Sequence, residues 1–161
     1  ERIIKYINLL VPNGNHLHIG AYTALQGEVD IKSWLKSCLH QLYLPVIEGK
    51  GLMNFYPYHP SDPLKSSSIT GLWEPLTSQD FIAVERIDTL LVPMIGFNQS
   101  LHRLGHGGGF YDRYLMHKKN QAKQQPMLIG VAFACQFCQF EAMAWDIPMD
   151  IIITENQIIY P

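Results

Sequence analysis

Short apolar segments recur along the chain and predict a set of β-strands. Residues 16–22 alternate between polar and apolar positions, which is typical of a strand with one buried face. Residues 88–95 and 127–134 are instead apolar on both faces, as expected for strands in the centre of a parallel sheet. Pro93 lacks a backbone N–H and marks the point where pairing of the first of these strands should stop.

Two segments have the spacing of amphipathic helices. Residues 28–42 place apolar side chains on one face, and Asp30 is positioned to cap the first turn by accepting a hydrogen bond from its free N–H groups. That apolar face consists of Ile31, Leu35, Cys38, Leu39 and Leu42. Residues 110–119 predict a second helix, with Lys118 and Lys119 near its C-terminus, where cations suit the helix dipole.

The remaining segments complete an alternating pattern of strands and helices. Residues 57–78 are rich in Pro, Ser and Gly and are predicted to be irregular. Further short strands are predicted at residues 43–47, 52–56, 150–154 and 157–160. We therefore expect an α/β fold, a single three-layer αβα domain over residues 1–161 with a mostly parallel or mixed, Rossmann-like sheet.

The composition of the 161-residue chain narrows the possible classes of protein. Hydrophobic residues make up 47% and charged residues 16%, which excludes a disordered or coiled-coil protein. The formal net charge of −2 gives no net attraction for a polyanion, so we expect no nucleic-acid partner. No apolar run approaches the roughly 18 residues of a membrane helix, and the first residues do not form a secretory signal, so we expect no membrane association.

The cysteine content indicates a reducing compartment. Three cysteines cannot form a disulfide framework, so we expect free thiols in a cytoplasmic protein. Cys135 and Cys138 have the C-x-x-C spacing of metal or redox sites, but the sequence has no second such pair and this one follows a strand-like run. Buried thiols are therefore favoured over a metal or redox role.

The richest candidate chemistry follows the buried strand that ends near Pro93. Arg103 begins the run Arg-Leu-Gly-His-Gly-Gly-Gly, which leads into the second predicted helix. Ligands of open α/β sheets bind at the carboxyl ends of the strands, and glycines let the backbone approach a ligand closely. The free N–H groups of the helix and the Arg103 guanidinium together favour an anion. Asp112 would repel a bound phosphate unless a cation such as Mg²⁺ bridged them, so the segment predicts a nucleotide phosphate with its metal.

The glycine run is neither a Walker loop nor the dinucleotide-binding pattern. The whole string RLGHGGGFYDRYL, preceded by DTLLVP and GF, closely resembles the signature of the 5-formyltetrahydrofolate cyclo-ligase family, also called methenyltetrahydrofolate synthetase. The resemblance covers roughly residues 22–155. Its further matches are Tyr22, Glu28, Leu44, Pro45, Met53, Asn54, Phe55, Trp73, Glu74, Pro75, Gly130, Ala132, Phe133, Gln136, Asp146, Asp150 and Glu155.

The resemblance implies an enzyme of folate one-carbon metabolism that uses ATP and Mg²⁺. Its substrate would be 5-formyltetrahydrofolate, with or without a polyglutamate tail, and its product 5,10-methenyltetrahydrofolate. In this family ATP phosphorylates the formyl oxygen to an iminophosphate, N10 of the folate attacks, and phosphate leaves as the ring closes. We expect the protein to act as a monomer.

By the same resemblance, site residues carry over position by position. ATP would be bound by Arg103, Leu104, Gly105, His106, Gly107, Gly108, Gly109, Phe110 and Tyr111. The folate would contact Thr23, Glu28, Trp73, His106, Gly107, Gly108, Gly109 and Phe110. Asp112 and Asp146 would hold Mg²⁺, and Arg103 and Asp112 would act in catalysis. The Glu28 carboxylate would pair with the N–H donors of the pterin, whereas Trp73 either stacks on a flat ring or is a partly buried core residue.

Two features depart from the family pattern. Family members usually begin with a helix whose Lys and Arg residues reach the ATP phosphates, and the chain apparently lacks it, since Arg2 and Lys5 do not obviously replace those residues. His106 stands where Tyr or Arg is more common, so less charge would face the phosphate. The alternative hypothesis is therefore a non-catalytic relative that binds folate or nucleotide. A generic sugar-phosphate or nucleotide-binding α/β domain is a third hypothesis.

Overall fold

The computed structural model describes residues 1–14, 16–49, 51–76, 80–116 and 125–161. In these residues the α-helices are α1 (Arg2–Leu10), α2 (Lys32–Ser37) and α3 (Phe110–Tyr114), and 3-10 helices cover Val84–Arg86 and Ala134–Gln136. The strands are β1 (His18–Gly20), β2 (Gln41–Glu48), β3 (Leu52–Tyr58), β4 (Leu64–Ser66), β5 (Trp73–Pro75), β6 (Thr89–Pro93), β7 (Gly96–Phe97), β8 (Arg103–Leu104), β9 (Met127–Val131), β10 (Ile151–Ile153) and β11 (Ile158–Ile159). None of the helices in the described part of the chain is long and apolar enough to cross a membrane.

The main sheet has seven strands in the order β11-β10-β9-β6-β1-β2-β3. β6 lies at its centre between β1 and β9, and both pairings are parallel, as is that of β1 with β2 and of β9 with β10. The two edge pairs, β2 with β3 and β10 with β11, are antiparallel. The predicted mixed α/β sheet is confirmed, and the strand that is apolar on both faces is the central one.

The sheet is covered on both faces because its central strands have apolar side chains on both. One core cluster includes Leu91 and Ile129 of the sheet together with Ile3 and Ile7 of α1 and Trp34 of α2. The opposite cluster combines sheet residues with residues that follow them in the chain, namely Phe55, Leu90, Val92, Met94, Phe97, Leu115, Leu128, Ile147, Met149 and Ile152. Residues on either side of one strand therefore belong to different cores.

Helix α1 is absent from the sequence-based prediction. Its buried residues Ile3 and Ile7 are four positions apart and so lie on one face of the helix. That face packs in the same core cluster as α2, and the Trp34 indole N–H donates to the Asn8 side chain at 2.9 Å. The signal was present as an apolar i, i+4 pair, but it extends over little more than two turns.

The helix predicted over residues 28–42 is shorter, because α2 covers only Lys32–Ser37. Ser37 donates from its side chain to the Ser33 carbonyl at 3.2 Å, and the next residue, Cys38, is extended. Leu39 is 71% exposed, and Leu42 belongs to β2 rather than to the helix. Asp30 is not the cap residue, although its carboxylate accepts from the Lys32 N–H at 2.8 Å.

The other differences are short hairpins and element ends. Residues 57–78 were predicted to be irregular, but β4 and β5 pair there as an antiparallel hairpin. A second hairpin, β7 with β8, stands at the start of the glycine-rich segment. Strands of two or three residues carry too few alternating positions to be recognised. The second predicted helix is α3, which ends at Tyr114, and the predicted end of that helix with Lys118 and Lys119 lies outside the described residues.

Candidate active site

A cavity of about 620 Å³ opens at the carboxyl ends of the parallel strands. Tyr22 and Thr23, just after β1, and Pro93, the last residue of β6, lie in its wall. The rest of the wall comes from the segment between β1 and α2 that contains Glu28, the β2–β3 hairpin, the loop between β4 and β5, the glycine-rich loop and the segment near residue 145. Those lining residues include Pro45, Ile47, Met53, Leu72, Arg103, Leu104, Gly105, His106, Gly107, Gly108, Gly109, Phe110, Tyr111, Asp112, Met143, Trp145 and Asp146. The topology thus brings the predicted nucleotide loop and most of the predicted folate residues to one place.

The glycine loop owes its shape to backbone conformations that other residues adopt only with strain. Gly107 and Gly109 have φ values of 86° and 63°, in the left-handed region. At Gly108 a Cβ would lie 2.6 Å from the Phe110 ring, so the ring can pack directly against the backbone there. Because α3 has only five residues, its dipole adds little. Anion binding would therefore depend on the loop amides and on Arg103.

Arg103 and Asp112 form a two-point ion pair across the base of this loop. The guanidinium donates to the two carboxylate oxygens at 3.1 and 2.9 Å, and the Arg103 side chain is only 6% exposed. The guanidinium carbon also lies 5.5 Å from the centre of the Tyr111 ring. The sequence predicted that a cation such as Mg²⁺ would bridge Asp112 and a bound phosphate. In the structure the cation beside that carboxylate is the Arg103 guanidinium.

Glu28 is a buried carboxylate in the cavity wall, next to His106 of the glycine loop. Its side chain is 6% exposed, one oxygen accepts from the Leu25 N–H at 2.8 Å, and the other lies 3.4 Å from His106 Nε2. Burial raises the pKa of the Glu28 carboxyl above its ordinary value of 4.5, while the Leu25 N–H and the nearby His106 act in the opposite direction. The second oxygen thus has one long contact and faces the cavity, where a ligand N–H could reach it.

Asp146 lies in the same cavity wall as Asp112. One of its oxygens accepts from the Met143 N–H at 2.9 Å, which holds the turn that carries it. No cluster of three or more His, Cys, Asp or Glu side chains suited to a metal occurs among the described residues. Two carboxylates are nevertheless a sufficient protein share for Mg²⁺, which completes its shell with phosphate oxygens and water.

Of the two remaining predicted folate contacts, Thr23 is in the cavity wall and Trp73 is not. Thr23 lines the cavity, but its hydroxyl already donates to the Trp73 carbonyl at 2.7 Å. Trp73 itself is half-exposed and its side chain is not in the cavity wall. The tryptophan in the wall is Trp145, 66% exposed, which the sequence analysis did not select. Its position directly before Asp146 was the available signal.

The C-x-x-C pair lies apart from this cavity. Cys135 is exposed, Cys138 is partly buried, and both are free thiols. The preference for two buried thiols was therefore wrong for Cys135, which lies in a 3-10 helix after β9. Neither residue is part of the cavity wall.

These features define an α/β protein whose ligand cavity lies at the carboxyl ends of its parallel strands. A family model described as the 5-formyltetrahydrofolate cyclo-ligase family matches residues 11–155, which is most of the chain. The chain belongs to the 5-formyltetrahydrofolate cyclo-ligase family.

Similar proteins agree with this assignment. A curated 5-formyltetrahydrofolate cyclo-ligase of Haemophilus influenzae is 34% identical, over 95% of this chain and 84% of its own length. The solved structure of an Aquifex aeolicus 5,10-methenyltetrahydrofolate synthetase has a TM-score of 0.77 at 30% identity, covering 98% of this chain and 78% of that one. The corresponding structure from Mycoplasma pneumoniae has a TM-score of 0.71 at 28% identity, covering 96% of this chain and 83% of that one.

The Arg103–Asp112 pair generates a stability prediction. Replacing Asp112 by Ala leaves a nearly buried guanidinium without its partner, so we expect the free energy of unfolding to fall by about 2–4 kcal/mol. Asp112→Asn keeps one acceptor and should cost about 1 kcal/mol. Urea unfolding at pH 7 measures both. Asp30→Ala, which removes a single exposed hydrogen bond, is the control. Wild-type stability of Asp112→Ala would show that the pair does not anchor the loop.

Proposed function

We propose that this protein converts 5-formyltetrahydrofolate to 5,10-methenyltetrahydrofolate with consumption of one ATP. The observation that carries the proposal is the meeting of a buried carboxylate, Glu28, with a glycine loop and a buried guanidinium, Arg103, in one cavity. The carboxylate suits the N–H donors of a pterin, and the glycine loop and the guanidinium suit phosphate oxygens. Membership of the cyclo-ligase family supports the same assignment.

The reaction needs activation of a poor leaving group. Transfer of the γ-phosphoryl group of ATP to the formyl oxygen forms an O–P bond, releases ADP and leaves an N5 iminophosphate. Attack of N10 on the formyl carbon then closes the five-membered ring. The carbon–oxygen bond breaks, phosphate leaves with the electron pair, and N10 loses its proton. The protein must therefore hold the γ-phosphoryl group and the formyl oxygen in line and neutralise phosphate charge.

Arg103 can bind phosphate without leaving Asp112. The ion pair uses two of the five N–H donors of the guanidinium, so the other donors remain available. Its packing on Tyr111 fixes the guanidinium plane. Burial raises the pKa of Tyr111 well above its ordinary value, so this ring stays neutral and adds no negative charge beside the phosphates.

The folate would bind against the wall that contains Glu28. The carboxylate is preoriented by the Leu25 N–H, and apolar side chains of the same cavity, Ile47, Met53 and Leu72, can contact the faces of a flat ring. Trp145 offers a further ring face at the cavity mouth. Since one chain supplies all these groups, we also propose that the protein acts as a monomer.

The two aspartates fit a magnesium ion that accompanies ATP. Only one carboxylate oxygen of Asp146 accepts from the Met143 N–H, so the other could bind a metal ion. Asp112 lies in the same cavity wall. Together they would hold Mg²⁺, which neutralises charge on the transferred phosphoryl group. Asp112 is already paired with Arg103, so Asp146 is the carboxylate whose removal tests the metal site most directly.

The proposed activity can be measured directly. The full-length protein with Mg²⁺ should convert 5-formyltetrahydrofolate to the methenyl form, with one ADP released per product. Absorbance of the methenyl product and coupled detection of ADP measure the two quantities. Omission of ATP is the control. Ligand binding without product would instead identify a non-catalytic relative and contradict the proposal.

Glu28 generates a prediction about folate affinity. Glu28→Gln keeps an acceptor for the Leu25 N–H but loses the charge, so folate affinity should fall about tenfold or more while ATP affinity changes little. Because the folded-state pKa of Glu28 is raised, its ionised form costs stability above pH 4.5, and the variant should be at least as stable as wild type at pH 7.

The same shift predicts the pH dependence of folate binding. Wild-type affinity should be lost as the pH falls through the raised pKa of Glu28, that is, at a pH above 4.5, and Glu28→Gln should remove this step. Calorimetric titration with each ligand between pH 4 and 8 measures both effects. Equal losses for folate and ATP would mean that Glu28 has a structural role instead.

Asp146→Asn tests the magnesium assignment. The Asn oxygen can still accept from the Met143 N–H, so the melting temperature should hardly change. Apparent Mg²⁺ affinity should fall about tenfold or more, with turnover partly recovered at high Mg²⁺. Asp62→Asn is a matched control, because Asp62 likewise accepts from the N–H three residues before it, at 2.8 Å, but lies outside the cavity. Unchanged Mg²⁺ dependence of Asp146→Asn would contradict the assignment.

A further inference from the structure

Arg113 links the glycine loop to a part of the chain 62 residues away. Its Nε–H donates to the Gly51 carbonyl at 2.9 Å, in the turn between β2 and β3. Its Nη2 donates to the Gly108 carbonyl at 2.5 Å, in the middle of the loop. One side chain thus bridges the glycine loop, which lines the cavity, and the turn between β2 and β3.

The same guanidinium packs closely on its surroundings. Its central carbon lies 5.3 Å from the centre of the Phe110 ring, which in turn lies against Gly108. A Cβ at Gly51 would come within 3.0 Å of the guanidinium, and one at Gly109 within 2.8 Å. The glycines on both sides therefore leave the space that this side chain occupies.

Arg113 does not belong to the cavity wall, although Phe110 and Gly108 do. Its contacts are to carbonyl oxygens and to a ring, on the outer side of the loop. A direct bond to a phosphate in the cavity is therefore not what this geometry provides. The side chain acts on the loop and not on the ligand.

We propose that Arg113 is a positioning residue that clamps the glycine loop to the β2–β3 turn and thereby sets the affinity for the nucleotide phosphates. The inference rests on the proposed function for its ligand. A loop rich in glycine loses much backbone entropy when it is ordered around an anion. A clamp that orders the loop before binding reduces that cost, so it strengthens binding without contacting the ligand.

The test compares ATP binding with turnover. Arg113→Ala should raise the Kd and KM for ATP about tenfold, the effect of losing charged hydrogen bonds that are partly exposed to water. The kcat at saturating ATP and the KM for 5-formyltetrahydrofolate should change by less than about threefold, since the reacting groups keep their positions. Arg113→Lys can reach only one carbonyl and should show an intermediate ATP affinity. Arg86→Ala, at an exposed arginine outside the cavity, controls for the loss of charge.

A second route breaks the clamp from the other segment. Gly51→Ala introduces a Cβ 3.0 Å from the guanidinium at a φ of 82°, and should weaken ATP binding as Arg113→Ala does. Gly49→Ala is its matched control, because it has a φ of 64° in the same turn and its Cβ would meet nothing within 4 Å. The double variant Gly51→Ala/Arg113→Ala should bind ATP no more weakly than Arg113→Ala alone. Additive losses, or equal losses for Gly49→Ala and Gly51→Ala, would overturn the clamp.

A ligand-free measurement separates failure of this inference from failure of the proposed function. In the NMR spectrum of the wild-type protein, the Nε–H of Arg113 should exchange with water at least tenfold more slowly than that of Arg86, because the Gly51 carbonyl holds it. Fast exchange would overturn the clamp whatever the protein binds. Slow exchange in a protein that does not bind ATP would retain the clamp, overturn its nucleotide role and contradict the proposed function.

Discussion

The ion pair between Arg103 and Asp112 is the interaction on which the candidate site depends. Arg103 belongs to β8 at one end of the glycine loop and Asp112 to α3 at the other, so their two hydrogen bonds close the loop at its base. A glycine-rich segment has little shape of its own, because each glycine has access to more backbone conformations than other residues. The pair fixes the distance between the two ends, and the positive-φ glycines between them then complete a compact turn.

Burial of the Arg103–Asp112 pair costs desolvation free energy and makes the orientation of the two partners decisive. Removing a guanidinium from water carries a large desolvation penalty, which only a well-oriented partner offsets. Asp112 satisfies that condition with both oxygens, and the Tyr111 ring covers one face. Glu28 in the same cavity has no such compensation: it has one good N–H donor and a more distant His106, and burial raises its pKa. The difference is what a binding site requires, since a carboxylate with unused hydrogen-bonding capacity gains most from a ligand.

The sequence permitted prediction of the elements whose signal is local and long. The central strand around residues 89–93 is apolar on both faces, and neither a helix nor a surface strand explains that pattern as well. The hairpins β4–β5 and β7–β8 could not be predicted in the same way, because two or three residues do not establish a period. Helix α2 was predicted too long because the apolar residues of β2 continue its spacing, and only the sheet register assigns Leu42 to the strand.

In the candidate site, too, local signals could be predicted from the sequence and contacts between distant segments could not. Arg103, Asp112 and the glycines were identified from a contiguous motif that resembles the cyclo-ligase signature. The contact between Arg113 and the turn at Gly51 was not identified, because it depends on how β3 and α3 pack. Trp73 and Trp145 illustrate the limit. Both are exposed aromatic residues, the first at a matched position and the second next to one, and only the fold shows that Trp145 is the one in the cavity wall.

The loop is held at three points, one at its own base and two that join it to other parts of the structure. Arg103 and Asp112 hold its base, His106 faces Glu28 after β1, and Gly108 accepts from Arg113 beside the β2–β3 turn. The base contact is buried and Arg113 holds the middle of the loop from outside the cavity, whereas the 3.4 Å contact between His106 and Glu28 is one that a ligand can displace at little cost. This difference in strength suits a loop that must keep its base fixed and yet adjust its tip when a phosphate binds. It also explains why glycine is compatible with the tip, since the freedom that glycine adds there is limited by anchors elsewhere.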